Sequence, residues 1–199
     1  MKHGRYTSTL TGDPFLYHES IILARILLEK GDYEDIKNTI IDNTLFNYSS
    51  NTRTPKRISL IYRRLSKLDT GLLEKMVQET SDQSKIILLY ALYLDNKLLR
   101  DFFNNVLAAK HHNKEYYLYE SDILGFFDYV ADSEGHYGRR WSHDTETKLV
   151  STIKTILRDV GILEPSGNSL KSVLVNREIL SAISLRGHTT FLLALGIFA

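Results

Sequence analysis

The sequence has no cysteine among its 199 residues. This excludes disulfides, thiolate zinc sites, iron–sulfur clusters and cysteine nucleophiles, and it fits a reducing compartment. Long apolar runs are also missing. The run near the C-terminus, Phe191 to Ala199, is about half of the roughly 20 residues that a membrane-spanning helix needs. The N-terminal MKHGRYTSTLTG lacks the apolar core of a signal peptide. The expectation is a cytoplasmic protein with no membrane partner. Net charge is +1, from 25 Lys and Arg against 24 Asp and Glu. Any attraction for a polyanion must therefore come from a local patch and not from the molecule as a whole.

Catalytic signatures are missing too. No GxGxxG, GxxxxGK[ST], GxSxG or HExxH pattern occurs, so no phosphate cradle, nucleophile elbow or helical zinc pair is visible. The adjacent His111 and His112 project apart on a helix and make a poor chelating pair. Asp132, Glu134, His136, His143 and Asp144 gather in or beside one polar loop, which solvation explains as well as a metal would. No catalytic residue, metal or cofactor is expected.

What is present is a basic stretch, Arg53 to Leu68, RTPKRISLIYRRLSKL, with no acidic residue. Thr54 suits an N-cap and Pro55 the first helical position, where its missing N–H is not needed. Wound at roughly 100° per residue, Ile58, Ile61, Tyr62, Leu65 and Leu68 fall on one arc. Lys56, Arg57, Arg63, Arg64 and Lys67 fall on the opposite arc, with Leu60 intruding. Solvated helices usually mix signs and gain from i,i+4 pairs. Like charges gathered on one face repel each other unless a polyanion offsets them.

Around this stretch the periodicity is helical. Phe15–Lys30 reads as a helix stopped by Gly31, and Asp32 caps a second through about Asn43. The long Thr44–Thr52 connection departs from the three or four residues of a helix-turn-helix. Short helices follow over Leu72–Glu79 and Leu98–Ala109. Between them Ile86–Leu94 is apolar nearly all round, as a central core helix is. Ser121 and Ser142 open two more helices, the second running to Val160. Ile162–Glu164 and Lys171–Val175 read as a small β-hairpin around Pro165–Ser169, giving a winged-helix-like C-terminal part. Asn176 caps a helix through Ser184, and His188–Phe198 forms a last helix or tail. The polar, tyrosine-rich 110–119 stretch marks a boundary between an N-terminal lobe, 1–112, and a C-terminal lobe, 113–199. Tyr116, Tyr117 and Tyr119 read as half-buried packing or as a stacking platform.

Several short runs stand out in order: Tyr6-Thr7-Ser8; Glu19-Ser20 with Ala24 and Leu27-Leu28; and Thr54-Pro55-Lys56-Arg57 with Arg64-Leu65. Further along stand Leu88 to Phe102 with Arg100-Asp101-Phe102, then Trp141-Ser142 with Thr145, Lys148 and Leu157–Gly161. In these runs and their order the chain resembles the BrxA proteins of bacteriophage-exclusion (BREX) defence systems. The resemblance implies a mainly α protein whose helical bundle is likened to the antitermination factor NusB. It also implies double-stranded DNA binding, no known catalytic activity, and other phage-defence subunits as partners. On this reading Arg53, Lys56, Arg57, Arg63, Arg64 and Lys67 carry the phosphate contacts, and Arg139, Arg140 and Lys171 form a second tier. An interaction scaffold and an RNA-binding factor stand as the alternatives.

Overall fold

Helix dominates the computed structural model, which describes residues 6–12, 15–46, 53–133 and 141–197. The helices are α1 (Tyr17–Lys30), α2 (Tyr33–Asp42), α3 (Arg53–Leu65), α4 (Thr70–Gln78), α5 (Ser81–Asp95) and α6 (Lys97–Phe102). After a π-helical segment, Phe103–Leu107, come α7 (Ala108–His112), α8 (Glu120–Ser133), α9 (His143–Asp159), α10 (Arg177–Leu185) and α11 (Thr189–Ala194). By their internal contacts they divide into two compact units, Phe15–Asp95 and Met1–Pro14 with Asn96–Ala199. Within the second of these units the π-helical segment and α7 pack with α11, and α6 packs with the π-helical segment.

The unit Phe15–Asp95 is organised around α5. Every residue from Ile86 to Tyr93 is buried, as its nearly all-apolar sequence requires. Helices α1, α3 and α4 pack against it, and α2 closes over α1 and α3. Helix starts follow local chemistry. The Asp32 carboxylate accepts from the Glu34 and Asp35 amides at 2.9 and 3.4 Å, and Asp69 accepts from Leu72 at 2.8 Å. Gly31, at φ +74°, ends α1 in a conformation that a side chain would strain. The buried side of α1 is Ser20, Leu23, Ala24 and Ile26.

The second unit has an aromatic interior. Phe103 stacks on Phe191 of α11 at 5.7 Å, and Phe102 meets Phe126 of α8 edge-on at 5.6 Å. Phe127 meets Trp141 at 5.4 Å. Asn96, Ser142 and Asn176 cap α6, α9 and α10 through their side chains. The 3-10 turn Thr9–Thr11 packs on α9.

The expected β-hairpin does not form as a sheet. Among the described residues only isolated antiparallel bridges occur, Leu163 with Leu170 and Tyr117 with Ser169. The chain does reverse there: Lys171 donates to the Ile162 carbonyl at 2.8 Å and Glu164 to Ser169 at 3.0 Å. Beyond Lys171 the pairing stops, and Val173 donates instead to Leu195 at 3.2 Å.

Candidate nucleic-acid interface

Helix α3 begins at Arg53, so Thr54 and Pro55 lie inside its first turn and Thr54 is not its cap. Proline is tolerated there because the first N–H groups of a helix have no intrahelical acceptor. Ile58, Ile61 and Leu65 are fully buried, as their arc predicts.

The basic residues separate into two sets. Arg53, Lys56, Arg63 and Lys67 are exposed and follow one another at steps of three, seven and four along the chain. Arg53, Lys56 and Arg63 make one stripe on α3 with the half-buried Leu60 between them, and Lys67 continues it in the turn after the helix. From Arg53 to Arg63 the stripe runs roughly 15 Å, at about 1.5 Å per residue. Arg64 belongs elsewhere: its residue is only 4% exposed. It stands three residues after Ile61 and four before Leu68, so it shares their buried side and not the solvent arc assigned to it from the sequence. Arg57, seven residues before Arg64, is half-buried on the same flank, 3.9 Å from the Glu19 carboxylate of α1.

The stripe has no acid of its own, but α5 supplies one. Asp95 accepts from Arg63 at 2.9 and 3.2 Å through Nε and at 2.8 Å through Nη2. These hydrogen bonds push the Arg63 pKa up from its already high value. Glu19 and Asp95 both lie far from α3 in sequence. The only local signal for Asp95 is an acid ending an otherwise apolar helix, where the negative end of the helix calls for a cation. Arg63 and Arg64 themselves occupy the last turn of α3, where cations are favoured by the same effect.

Of the second-tier residues, Arg139 and Arg140 lie outside the described residues. Lys171 is exposed in the other unit and pairs with Glu164 at 3.4 Å. Tyr116, Tyr117, Tyr119 and Tyr129 are about half exposed, and Tyr117 stacks on Tyr119 at 6.2 Å. Among the described residues no three His, Asp or Glu side chains converge as metal ligands, and Glu134 and His136 lie outside them. A groove between α10 and α11 is lined by Leu180, Ser184, Thr189, Leu192, Leu193 and Ile197. No helix among the described residues is long and apolar enough to cross a membrane.

These features define a class, a mainly helical two-unit protein that presents a basic stripe on a helix with no acidic residue of its own. The chain belongs to the BrxA family, whose model matches residues 4–187. It is 27% identical over 195 residues to the BREX protein BrxA of Bacillus cereus strain H3081.97, covering 96% of each chain. Membership ties it to the BREX phage-defence system. The fold is shared with a crystal structure of an uncharacterised protein from Magnetospirillum magneticum. That match has a TM-score of 0.78 at 22% identity and covers 96% of this chain and 98% of the other.

Proposed function

We propose that this protein is a non-enzymatic, double-stranded DNA-binding accessory subunit of its BREX system. The observation that carries the reading is the exposed stripe Arg53, Lys56 and Arg63 on a helix without an acidic residue, continued by Lys67 in the turn that follows it. Arginine forks and lysine charges suit phosphate oxygens, and phosphate contacts fix position on a duplex without reading its sequence. Arg57 extends the patch from its half-buried flank, while Arg64 supports the helix from inside. No side chain of the stripe is singled out as a base-edge reader.

Binding should be governed by counterion release. Log affinity should fall linearly with log salt, by about 0.9 for each phosphate neutralised. Arg53→Glu with Lys56→Glu should weaken binding to all duplexes about equally and flatten that slope by about 1.8. Lys37→Glu serves as the control. It lies on α2, where it pairs with Glu34 at 2.9 Å. Unchanged affinity and slope in the folded double variant would refute the reading. Preference for structured RNA over duplex DNA in competition would move it to RNA binding.

A second reading, an interaction scaffold within the defence complex, is favoured by the tyrosines. Tyr116, Tyr117, Tyr119 and Tyr129 are 48–57% exposed, and half-exposed aromatics are enriched where proteins meet. Tyr117→Ser with Tyr129→Ser should then loosen association with partner subunits and leave DNA affinity unchanged.

A further inference from the structure

The grip of Asp95 on Arg63 has a geometry that sorts the donors of the guanidinium. Asp95 takes the Nε–H and one N–H of Nη2, the side edge of the fork. A guanidinium carries five N–H donors, so the terminal Nη1–Nη2 edge stays unused by Asp95. The two partners also differ in exposure: the Asp95 side chain is 7% exposed and that of Arg63 is 58% exposed. The carboxylate thus sits underneath and the arginine above it. Asp95 ends α5, where the helix dipole repels a carboxylate, so Arg63 offsets a local charge conflict.

We infer that Asp95 is a positioning residue for phosphate binding, holding Arg63 side-on so that its terminal edge faces the ligand. This rests on the DNA-binding reading above. The opposite role, a carboxylate that competes with phosphate for the arginine, fits the geometry poorly. Asp95 takes the Nε–Nη2 edge and is itself buried, so it leaves the Nη1–Nη2 edge uncovered. Pre-ordering a long side chain lowers the entropy lost on binding, and a planar fork held at the correct angle matches a phosphate bidentately.

The two roles differ in sign. Removing a negative charge close to a polyanion strengthens binding by electrostatics alone. Loss of a positioning residue weakens it. The test measures duplex DNA binding over a salt series for wild type, Asp95→Asn, Arg63→Ala and the pair combined, each shown folded by circular dichroism. Asp95→Asn should weaken binding about threefold to tenfold, in the range of couplings between contacting residues. It should also make the salt slope shallower by up to about 0.9. It should add nothing once Arg63 is Ala. Unchanged or tighter binding by Asp95→Asn, or an equal loss with Arg63 absent, would overturn the role. Arg63→Lys keeps the charge but cannot offer one edge to Asp95 and another to phosphate, so it should lose binding as Asp95→Asn does. Binding at wild-type strength by Arg63→Lys would overturn the inference even if Asp95→Asn does not fold. Absence of duplex binding by wild type itself would remove the functional reading and this role together, whereas normal wild-type binding with an indifferent Asp95 removes the role alone.

Discussion

The Tyr6 hydroxyl donates to the Asp101 carboxylate at 2.7 Å, joining residues 95 positions apart. The Lys97 ammonium lies 3.2 Å from the centroid of the Tyr6 ring and 2.7 Å from the same carboxylate. One tyrosine thereby gives a cation–π contact, a charged hydrogen bond and apolar burial at 7% exposure. Tyr6 and Asp101 stand in two separate runs that carry the family resemblance, and the contact gives those runs a shared structural reason. It fixes the N-terminal segment to α6.

Tyr6→Phe keeps the ring and its contact with Lys97 but leaves Asp101 one donor short. It should lower stability by about 1–2 kcal/mol. Tyr6→Ala removes the ring as well and should lower it by about 3–5 kcal/mol. Urea unfolding with an unchanged m-value checks both. Burial raises the Tyr6 pKa above its ordinary value, so in alkaline absorbance titration the Tyr6→Phe variant should lose a late-titrating phenol.

The helices were legible because their signals are local. The Asp32 cap, the Gly31 stop and the apolar run of α5 each act within a few residues. The hydrophobic arc of α3 was legible for the same reason. Its charges were not fully so. A helical wheel gives directions but not the width of the buried arc, and here that arc extends past Leu68 to include Arg64. Nor does it reveal which carboxylates neighbouring helices bring, and Asp95 and Glu19 change the standing of Arg63 and Arg57. The β-prone runs around Pro165 did produce a chain reversal. Extending it needed cross-strand partners, and Val173 finds its partner in Leu195 instead.

His111 should make stability fall in mild acid. It is 1% exposed, and neither ring nitrogen has a hydrogen-bond partner among the described residues. Burial alone lowers its pKa from the usual 6.5. The unfolded chain therefore binds this proton more readily than the folded one, and stability rises with pH through this range. It should be fully present above about pH 7 and be lost as the pH falls below about 6.5. His188 acts with the same sign, lowered by burial and then by Arg186 and Arg100. His111→Leu should flatten the acid side of a plot of melting temperature against pH without abolishing it, because His188 remains. A profile unchanged by His111→Leu would show that the ring is protonated without penalty.

Arg64 separates support of the helix from contact with a ligand. At 4% exposure its guanidinium cannot be reached by a phosphate without rearranging the packing around Ile61 and Leu65. Reversing a buried charge is among the few single changes expected to lower stability by more than about 3 kcal/mol. Arg64→Glu should therefore lower the thermal midpoint strongly and reduce the yield of folded protein. Arg64→Met keeps a long aliphatic stem at this buried position and should be milder. Below its melting temperature, the folded Met variant should bind duplex DNA within about twofold of wild type, with a salt slope changed by much less than the 0.9 of a lost phosphate contact. Arg53→Glu with Lys56→Glu should give the reverse pattern, near-normal stability with weakened binding. If the Met variant instead loses affinity and slope as the exposed double variant does, Arg64 turns outward to meet DNA, and the interface includes a rearranged α3.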